Sequence, residues 1–352
     1  MINSDMSTAI NGPREYWLDL VKGLAMVFVV MQHTLQRVIQ DFGNESLSFL
    51  SIVHWFVATV PMQWFFAASG LIYFAKRDKY LLSGKQFLRS RFLDLMVPYL
   101  ILGPAVWLAK FALSAFVTKQ VTLSDLCGMF ATPIAFMWFI YVLFCVEIIV
   151  YAIDKMLRWR FEIVLGLLFF LYTAIQLTIG RGTNVLYLTL YYLFWYYLGG
   201  IFVRYHKILS ENSKVLTIMG GGIWAFCFTL SIITKMHVFP ILYSLGSTLF
   251  VYLLFQKHYS PTPPRRLLNY IGNMTMYIYI LNPIIINGLR QVLLSVDIAA
   301  NNITINIVAI FVGALVIACL IGELGKRVTP IGFIFTPRKV LNRYRRKIDI
   351  NE

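Results

Sequence analysis

The sequence predicts an all-α, polytopic integral membrane protein of about ten transmembrane helices, with both termini cytoplasmic. Three observations predict it. The 352 residues are 59% apolar and only 13% charged, with mean hydropathy +0.71, where ordinary soluble domains are roughly 45–50% apolar and about 25% charged. A water-soluble chain so composed would expose more apolar surface than water tolerates, and disorder requires the opposite bias. Apolar runs of the roughly 20 residues that a helical span needs recur along the whole chain. Finally, 31 Lys and Arg against 16 Asp and Glu give a net charge of +15. That excess would suggest nucleic acid in a soluble protein. Here it reads as an orientation signal, and no nucleic-acid partner is expected.

Taken in order, the first fifteen residues are polar, with Asp5 and no apolar core. No cleavable signal peptide is expected, and the first span, 18–38, acts as the insertion signal. An outer loop over 38–54 carries Asp41 and Glu45 and leads into the second span, 55–75. Lys76, Arg77, Lys79, Lys85, Arg89 and Arg91 form an inner loop before the third span, 93–117. Lys119 lies outside, and the fourth span, 133–153, returns to Lys155, Arg158 and Arg160. The fifth and sixth spans, 162–179 and 184–203, turn at Arg181 and end at Arg204, Lys207 and Lys214. The seventh and eighth, 215–234 and 238–256, turn at Lys235 and return to Lys257, Arg265 and Arg266. The ninth, 268–289, reaches Arg290, and the tenth, 303–325, returns to a tail with eight basic residues from Lys326 to Lys347. With Arg14, one set of loops holds twenty-four basic residues and the other five, while Lys22 and Lys110 fall within spans. A partition that alternates in phase with the spans places both termini in the cytoplasm. It divides the chain into an N-terminal segment, 1–17, a membrane domain, 18–325, and a basic tail, 326–352. Orientation explains the tail's charge, and contact with anionic headgroups is a further reading of it.

Several chemistries are excluded. Cys127, Cys145, Cys227 and Cys319 are scattered without Cys-x-x-Cys spacing and read as small apolar residues. There is no Gly-x-x-x-x-Gly-Lys-Ser/Thr, no Gly-x-Gly-x-x-Gly after a strand and no His-Glu-x-x-His. Metal sites, ATP-driven transport and a permanently bound cofactor are not expected.

Ionisable groups inside spans are costly and therefore informative. In the first span Lys22 and His33 are eleven residues apart, close to three full helical turns, so they share one face about 16 Å apart along the axis. Asp19, three residues before Lys22, is placed to hold its ammonium. Two readings stand for this set. Lys22 snorkels and His33 hydrogen-bonds between helices, or His33, with an ordinary pKa near ~6.5, is a base or nucleophile at neutral pH. In the second span Ser69-Gly70 reads as close helix packing or as part of a site. Arg89 and Arg91 stand where the third span begins, suited to a phosphate-bearing ligand. Trp138 and Phe139 open the fourth span, where an aromatic belt is the ordinary explanation, and Glu147 further in needs a partner. Tyr191, Tyr192, Trp195, Tyr196 and Tyr197 suit either sugar rings or the lipid interface. The ninth span carries Gly272, Asn273, Thr275 and Asn282, and Pro283 is expected to interrupt it.

Together these pieces resemble membrane acyltransferase family 3, the O-acyltransferases of polysaccharides and envelope molecules. The similarity runs in order from about Arg14 to Pro283. Lys22 to His33 matches the family's Arg/Lys-x10-His pattern, and Phe65 to Gly70 its Phe-Phe-x-x-Ser-Gly segment. Arg89, Arg91, Pro98 and Tyr99 resemble its arginine-rich entry into helix three. Trp138-Phe139 and Tyr197-Leu198-Gly199 match two aromatic elements, and Gly272 to Asn282 its late segment. Two positions depart: lysine rather than arginine at Lys22, and Asn282 where histidine is frequent.

The resemblance implies His33 as catalytic residue, deprotonating an acceptor hydroxyl or carrying the acyl group. It implies Lys22, Arg89 and Arg91 at the acyl donor, with Asp19, Ser69, Trp138, Asn273 and Asn282 in support. The donor would be acetyl-CoA or another acyl-CoA on the cytoplasmic side. The acceptor would be a carbohydrate, free or lipid-linked, and the location the cytoplasmic (inner) membrane. An exporter of lipid-linked sugar is the alternative, and an inactive scaffold or sensor a third.

Overall fold

The computed structural model describes residues 16–42, 48–112, 121–157, 160–178, 182–234, 240–257, 262–296 and 302–351. The first fifteen residues with Arg14, and the loop residues Glu45, Lys119, Arg158, Arg181 and Lys235, lie outside the described residues. Among those described, the chain is helical with no strand. It runs as α1 (Tyr16–Phe42), α2 (Ser48–Ala58), α3 (Pro61–Ala75), α4 (Arg77–Leu82) and α5 (Gly84–Arg91). A π-helical turn (Phe92–Met96) then leads to α6 (Val97–Ala112) and α7 (Leu123–Cys127). A 3-10 turn (Ala135–Met137) precedes α8 (Trp138–Met156), followed by α9 (Phe161–Thr178), α10 (Val185–Arg204), α11 (His206–Glu211), α12 (Ser213–Thr234) and α13 (Pro240–Lys257). The last helices are α14 (Pro263–Asn273), α15 (Thr275–Leu294), α16 (Ile303–Arg327), α17 (Thr329–Phe335) and α18 (Pro337–Asn351).

Among the described residues each expected span is mainly helical, and eight helical stretches are long and apolar enough to cross a membrane. The remaining two have identifiable reasons for falling short. α8 has 19 residues but carries Glu147, Asp154 and Lys155, and the apolar stretch of α13 is confined to Pro240–Gln256. On α16 the exposed residues Val308, Val312, Val316, Leu320 and Leu324 recur every four positions, one helix face suited to lipid chains. The second span begins earlier than expected, at Ser48, and consists of α2 and α3 with a break before Pro61. Proline supplies no N–H and fits the first position of a helix. Thr59 Oγ1 donates back to the Trp55 carbonyl at 2.7 Å.

The chain divides into two compact units, residues 1–69 with 201–322, and residues 70–200 with 323–352. In the first, α12 and α13 pack through Gly220 and Gly246, where an added Cβ would stand 2.9 Å from the other's carbonyl oxygen. Trp64 ties α3 to α13: its Nε1 donates to Ser247 Oγ at 3.2 Å, and its carbonyl accepts from Tyr252 Oη at 2.8 Å. In the second unit Arg77 grips Asp154 through bonds of 2.7–2.9 Å, and Tyr73 Oη donates to the same carboxylate at 3.1 Å.

The expected ninth span is corrected in two respects. It breaks after Asn273, at Met274, whose φ of −97° and ψ of 6° leave the helical region. Local side chains compete for the carbonyls there: Asn273 Nδ2 donates to Asn269 O at 2.9 Å and Thr275 Oγ1 to Gly272 O at 2.6 Å. By contrast α15 runs unbroken through Pro283. Proline has no N–H for the carbonyl four residues back, Tyr279, and the buried Asn282 supplies the missing donor. Its Nδ2 lies 3.0 Å from Tyr279 O and 2.9 Å from Ile278 O. Asn282→Leu should therefore cost about 1–3 kcal/mol, the penalty of an unpaired buried carbonyl. With Pro283→Ala the backbone N–H returns and the same substitution should cost much less. Thermal melting of the four proteins of this cycle measures the coupling; equal costs in both backgrounds would remove the compensation.

Candidate active site

The first unit holds most of the expected site on one helix. α1 is 27 residues long and unbroken, so Lys22 and His33 do share a face at the spacing their sequence positions require. Asp19 lies in the first turn, where a carboxylate also complements the helix dipole. Its Oδ1 is 2.7 Å from Lys22 Nζ, with the aspartate side chain 7% and the lysine side chain 26% exposed. An ammonium has three donors, so this pairing leaves Lys22 with capacity for a ligand.

The pair is held in place by glycines. A Cβ on Gly23 would stand 2.0 Å from the Leu268 carbonyl oxygen, and one on Gly272 2.0 Å from that of Asp19 and 3.1 Å from Gly23 N. α1 and α14 therefore touch backbone to backbone. That contact brings Asn273, half-buried at the end of α14, beside Asp19. Asn269 Nδ2 adds a 3.4 Å bond to the Tyr16 carbonyl.

Towards the other end of α1, His33 is half-buried, hydrogen-bonds with the Gln36 side chain and lies within electrostatic reach of His54. Beyond it, Arg290 Nε donates to Asp41 Oδ2 at 2.6 Å and its Nη1 to Asn306 Oδ1 at 2.7 Å. Arg37 Nε approaches the same aspartate oxygen at 3.3 Å. One carboxylate and an amide thus fasten the end of α1 to α15 and α16. Asn282, as described, serves α15's own backbone. Ser69 is half-buried.

In the second unit Arg91 and Arg89, two residues apart, point in different directions. Arg91 turns inward: Nε lies 3.3 Å from Glu147 Oε2, Nη2 donates to Tyr80 Oη at 3.1 Å, and the guanidinium sits over the Tyr80 and Phe87 rings. Glu147, 3% exposed, also accepts from Tyr196 Oη at 3.4 Å. Arg89 is exposed. The π-helical turn that follows Arg91 is fastened by Arg338 of α18, 2.7 Å from Asp94. Gly70 meets the Tyr196 carbonyl so closely that a Cβ would be 1.7 Å from it, and packing accounts for this glycine. Trp138 stacks on Tyr192, centroids 5.6 Å apart at 23°. The aromatic run of α10 is interior rather than interfacial: Tyr192, Trp195, Tyr196 and Tyr197 are all buried.

One pairing and one residue escaped the sequence reading. Glu147's partner, Arg91, is distant in sequence and no periodicity links them. His54 fell at the edge of the expected outer loop because the second span was begun at 55, whereas α2 starts at Ser48 and carries it inside. Chemically, the first unit offers a charged, ligand-capable end and an imidazole end on one helix, and the second a buried guanidinium–carboxylate pair.

Residues 15–323 match the model of an acyltransferase domain, and the chain belongs to acyltransferase family 3. It is a multi-pass membrane acyltransferase. No curated protein and no solved structure matches it.

The glycine contact gives a direct test. Gly23→Val should abolish monodisperse protein in detergent, since its added carbons meet backbone and not a movable side chain. Gly222→Ala, with nothing within 4 Å of its Cβ, should melt as wild type. Size-exclusion chromatography and thermal melting decide; a monodisperse Gly23→Val protein of normal stability would contradict the packing.

Proposed function

As a member of acyltransferase family 3 the chain, we propose, is an O-acyltransferase of the cytoplasmic membrane. It moves an acetyl group from acetyl-CoA on the cytoplasmic side to a hydroxyl of a sugar or envelope polysaccharide precursor. The observation that carries this reading is the face shared by Lys22 and His33 on α1, with a paired cation at one end and an imidazole three turns on. A thioester donor needs cations for its phosphates and a base for the attacking hydroxyl, and the two needs arise at opposite ends of a long molecule.

The step is acyl transfer. His33 takes the hydroxyl proton as the oxygen forms a bond to the thioester carbonyl carbon. The carbon–sulfur bond then breaks, and the imidazolium returns the proton to the departing thiolate. A variant of this course has His33 carry the acyl group transiently. Asp19 holds Lys22 for the donor. Charge and family resemblance support the donor role of Arg89 and Arg91, and a supporting role for Ser69, Trp138, Asn273 and Asn282. The twenty-four to five partition of basic residues supports cytoplasmic termini.

General-base catalysis contributes about 10²–10⁴-fold. His33→Ala should therefore abolish alkali-releasable acetate on envelope polysaccharide of cells that depend on this protein, with the variant still present in the membrane fraction. Normal acetate with His33→Ala would overturn the assignment.

A further inference from the structure

We infer that His54 is a second imidazole of the reacting centre, one that stays neutral and donates a ring N–H to the acyl carbonyl oxygen as it becomes an oxyanion. This rests on the reading of His33 as the base.

The placement follows from the helix pair. α1 and α2 pack against each other with five positions between them, a connection short enough to make them antiparallel. The rings of Phe28 and Phe56 lie 5.9 Å apart, tilted at 48°, so the two helices meet along this stretch. His54 is within electrostatic reach of His33. Its Nε2 is shielded from solvent and has no hydrogen-bond partner among the described residues. A buried polar atom left unpaired in the free protein costs stability, and one beside the catalytic base is a donor waiting for a ligand.

Charge decides its role. Two neighbouring, partly buried imidazoles resist both becoming cations. Once His33 has taken the acceptor proton, His54 must remain neutral, so it is neither a second base nor an acid. A neutral N–H aimed at the developing oxyanion is what it has left to offer. With Lys22 towards one end of α1 and His54 beside His33 towards the other, the arrangement suits an acyl group arriving from the Lys22 end. Its carbonyl meets His54 as its carbon comes within reach of a hydroxyl activated by His33. His54 exchanges no proton in the step; the proton passes from hydroxyl to His33 to thiolate.

The test uses the full-length protein in detergent with acetyl-CoA, reading thiol release with water as acceptor and acetyl transfer to envelope polysaccharide. His54→Leu should lower kcat of both reactions about 10²–10³-fold with little change in KM for acetyl-CoA. His54→Gln, whose amide N–H can also donate, should recover most of that loss and keep the wild-type pH profile. Wild-type kcat in His54→Leu would overturn the inference, as would equal loss in Leu and Gln, or loss of the acidic limb of the profile in His54→Gln. His33→Ala separates the two readings. If it is inactive while His54→Leu is fully active, the base assignment stands and the oxyanion role falls. If His33→Ala is fully active, the base assignment falls first and takes the oxyanion role with it.

Discussion

Two missing methyl groups let α1 and α14 meet. At Gly23 and Gly272 the space that any other side chain needs is filled by a carbonyl of the opposite helix, so the backbones themselves are the packing surface. In lipid there is no hydrophobic drive to press helices together, and close approach through small residues substitutes for it. The consequence reaches chemistry. Asp19 and Lys22 lie within about one turn before Gly23, and Asn273 follows Gly272, so the polar end of α1 is fixed by the same contact that joins the helices. Gly220 with Gly246 and Gly70 against Tyr196 repeat the device elsewhere.

The second constraint is that charge inside the bundle needs a partner within it. Asp154 is met by Arg77 and Tyr73, Glu147 by Arg91 and Tyr196, and Asp41 by Arg290 and Arg37. These pairs are not interchangeable. Arg77–Asp154 has short, multiple bonds, which suit a strut. Arg91–Glu147 is longer, and neither Arg91 Nε nor Glu147 Oε2 is within a proper hydrogen bond. A strut would relax into better geometry. That unspent hydrogen-bonding capacity, beside an exposed Arg89, is compatible with the donor role proposed for the two arginines.

What the sequence disclosed follows from which physical signals are local. Hydropathy runs of twenty residues are local, and among the described residues each is mainly helix, eight of the helices being long and apolar enough to cross a membrane. The Lys22–His33 register and the Asp19–Lys22 pair are local too, since helical period alone sets them. The break at Met274 was not legible, because it depends on Asn273 and Thr275 bonding carbonyls that either residue type could equally have ignored. Pro283 misled for the related reason that Asn282, its immediate neighbour, repairs the helix. The aromatic residues of α10 suit either sugar rings or the lipid interface when read as sequence, and their burial against Glu147 and Phe161 is a tertiary fact. His54 was missed through a boundary: a helix that breaks at Pro61 begins earlier than a hydropathy window reports.

The proposed base, His33, stands in surroundings that suit that task. A histidine near a pool of cations and water has many partners, and its proton is easily lost to any of them. Three turns along α1 from Lys22, His33 has Gln36 and His54 as polar neighbours, and the helix beyond is closed by the Asp41–Arg290–Asn306 network. In the proposed function such a position would keep an imidazole available to a hydroxyl while the cation proposed for the donor stays about 16 Å away. Separation of the two tasks on one rigid helix matters because a phosphate-binding charge next to the base would hold it in the wrong electrostatic field. A single unbroken helix fixes that distance without any linker to flex, and the glycine contact at one end and the arginine network at the other prevent it from sliding.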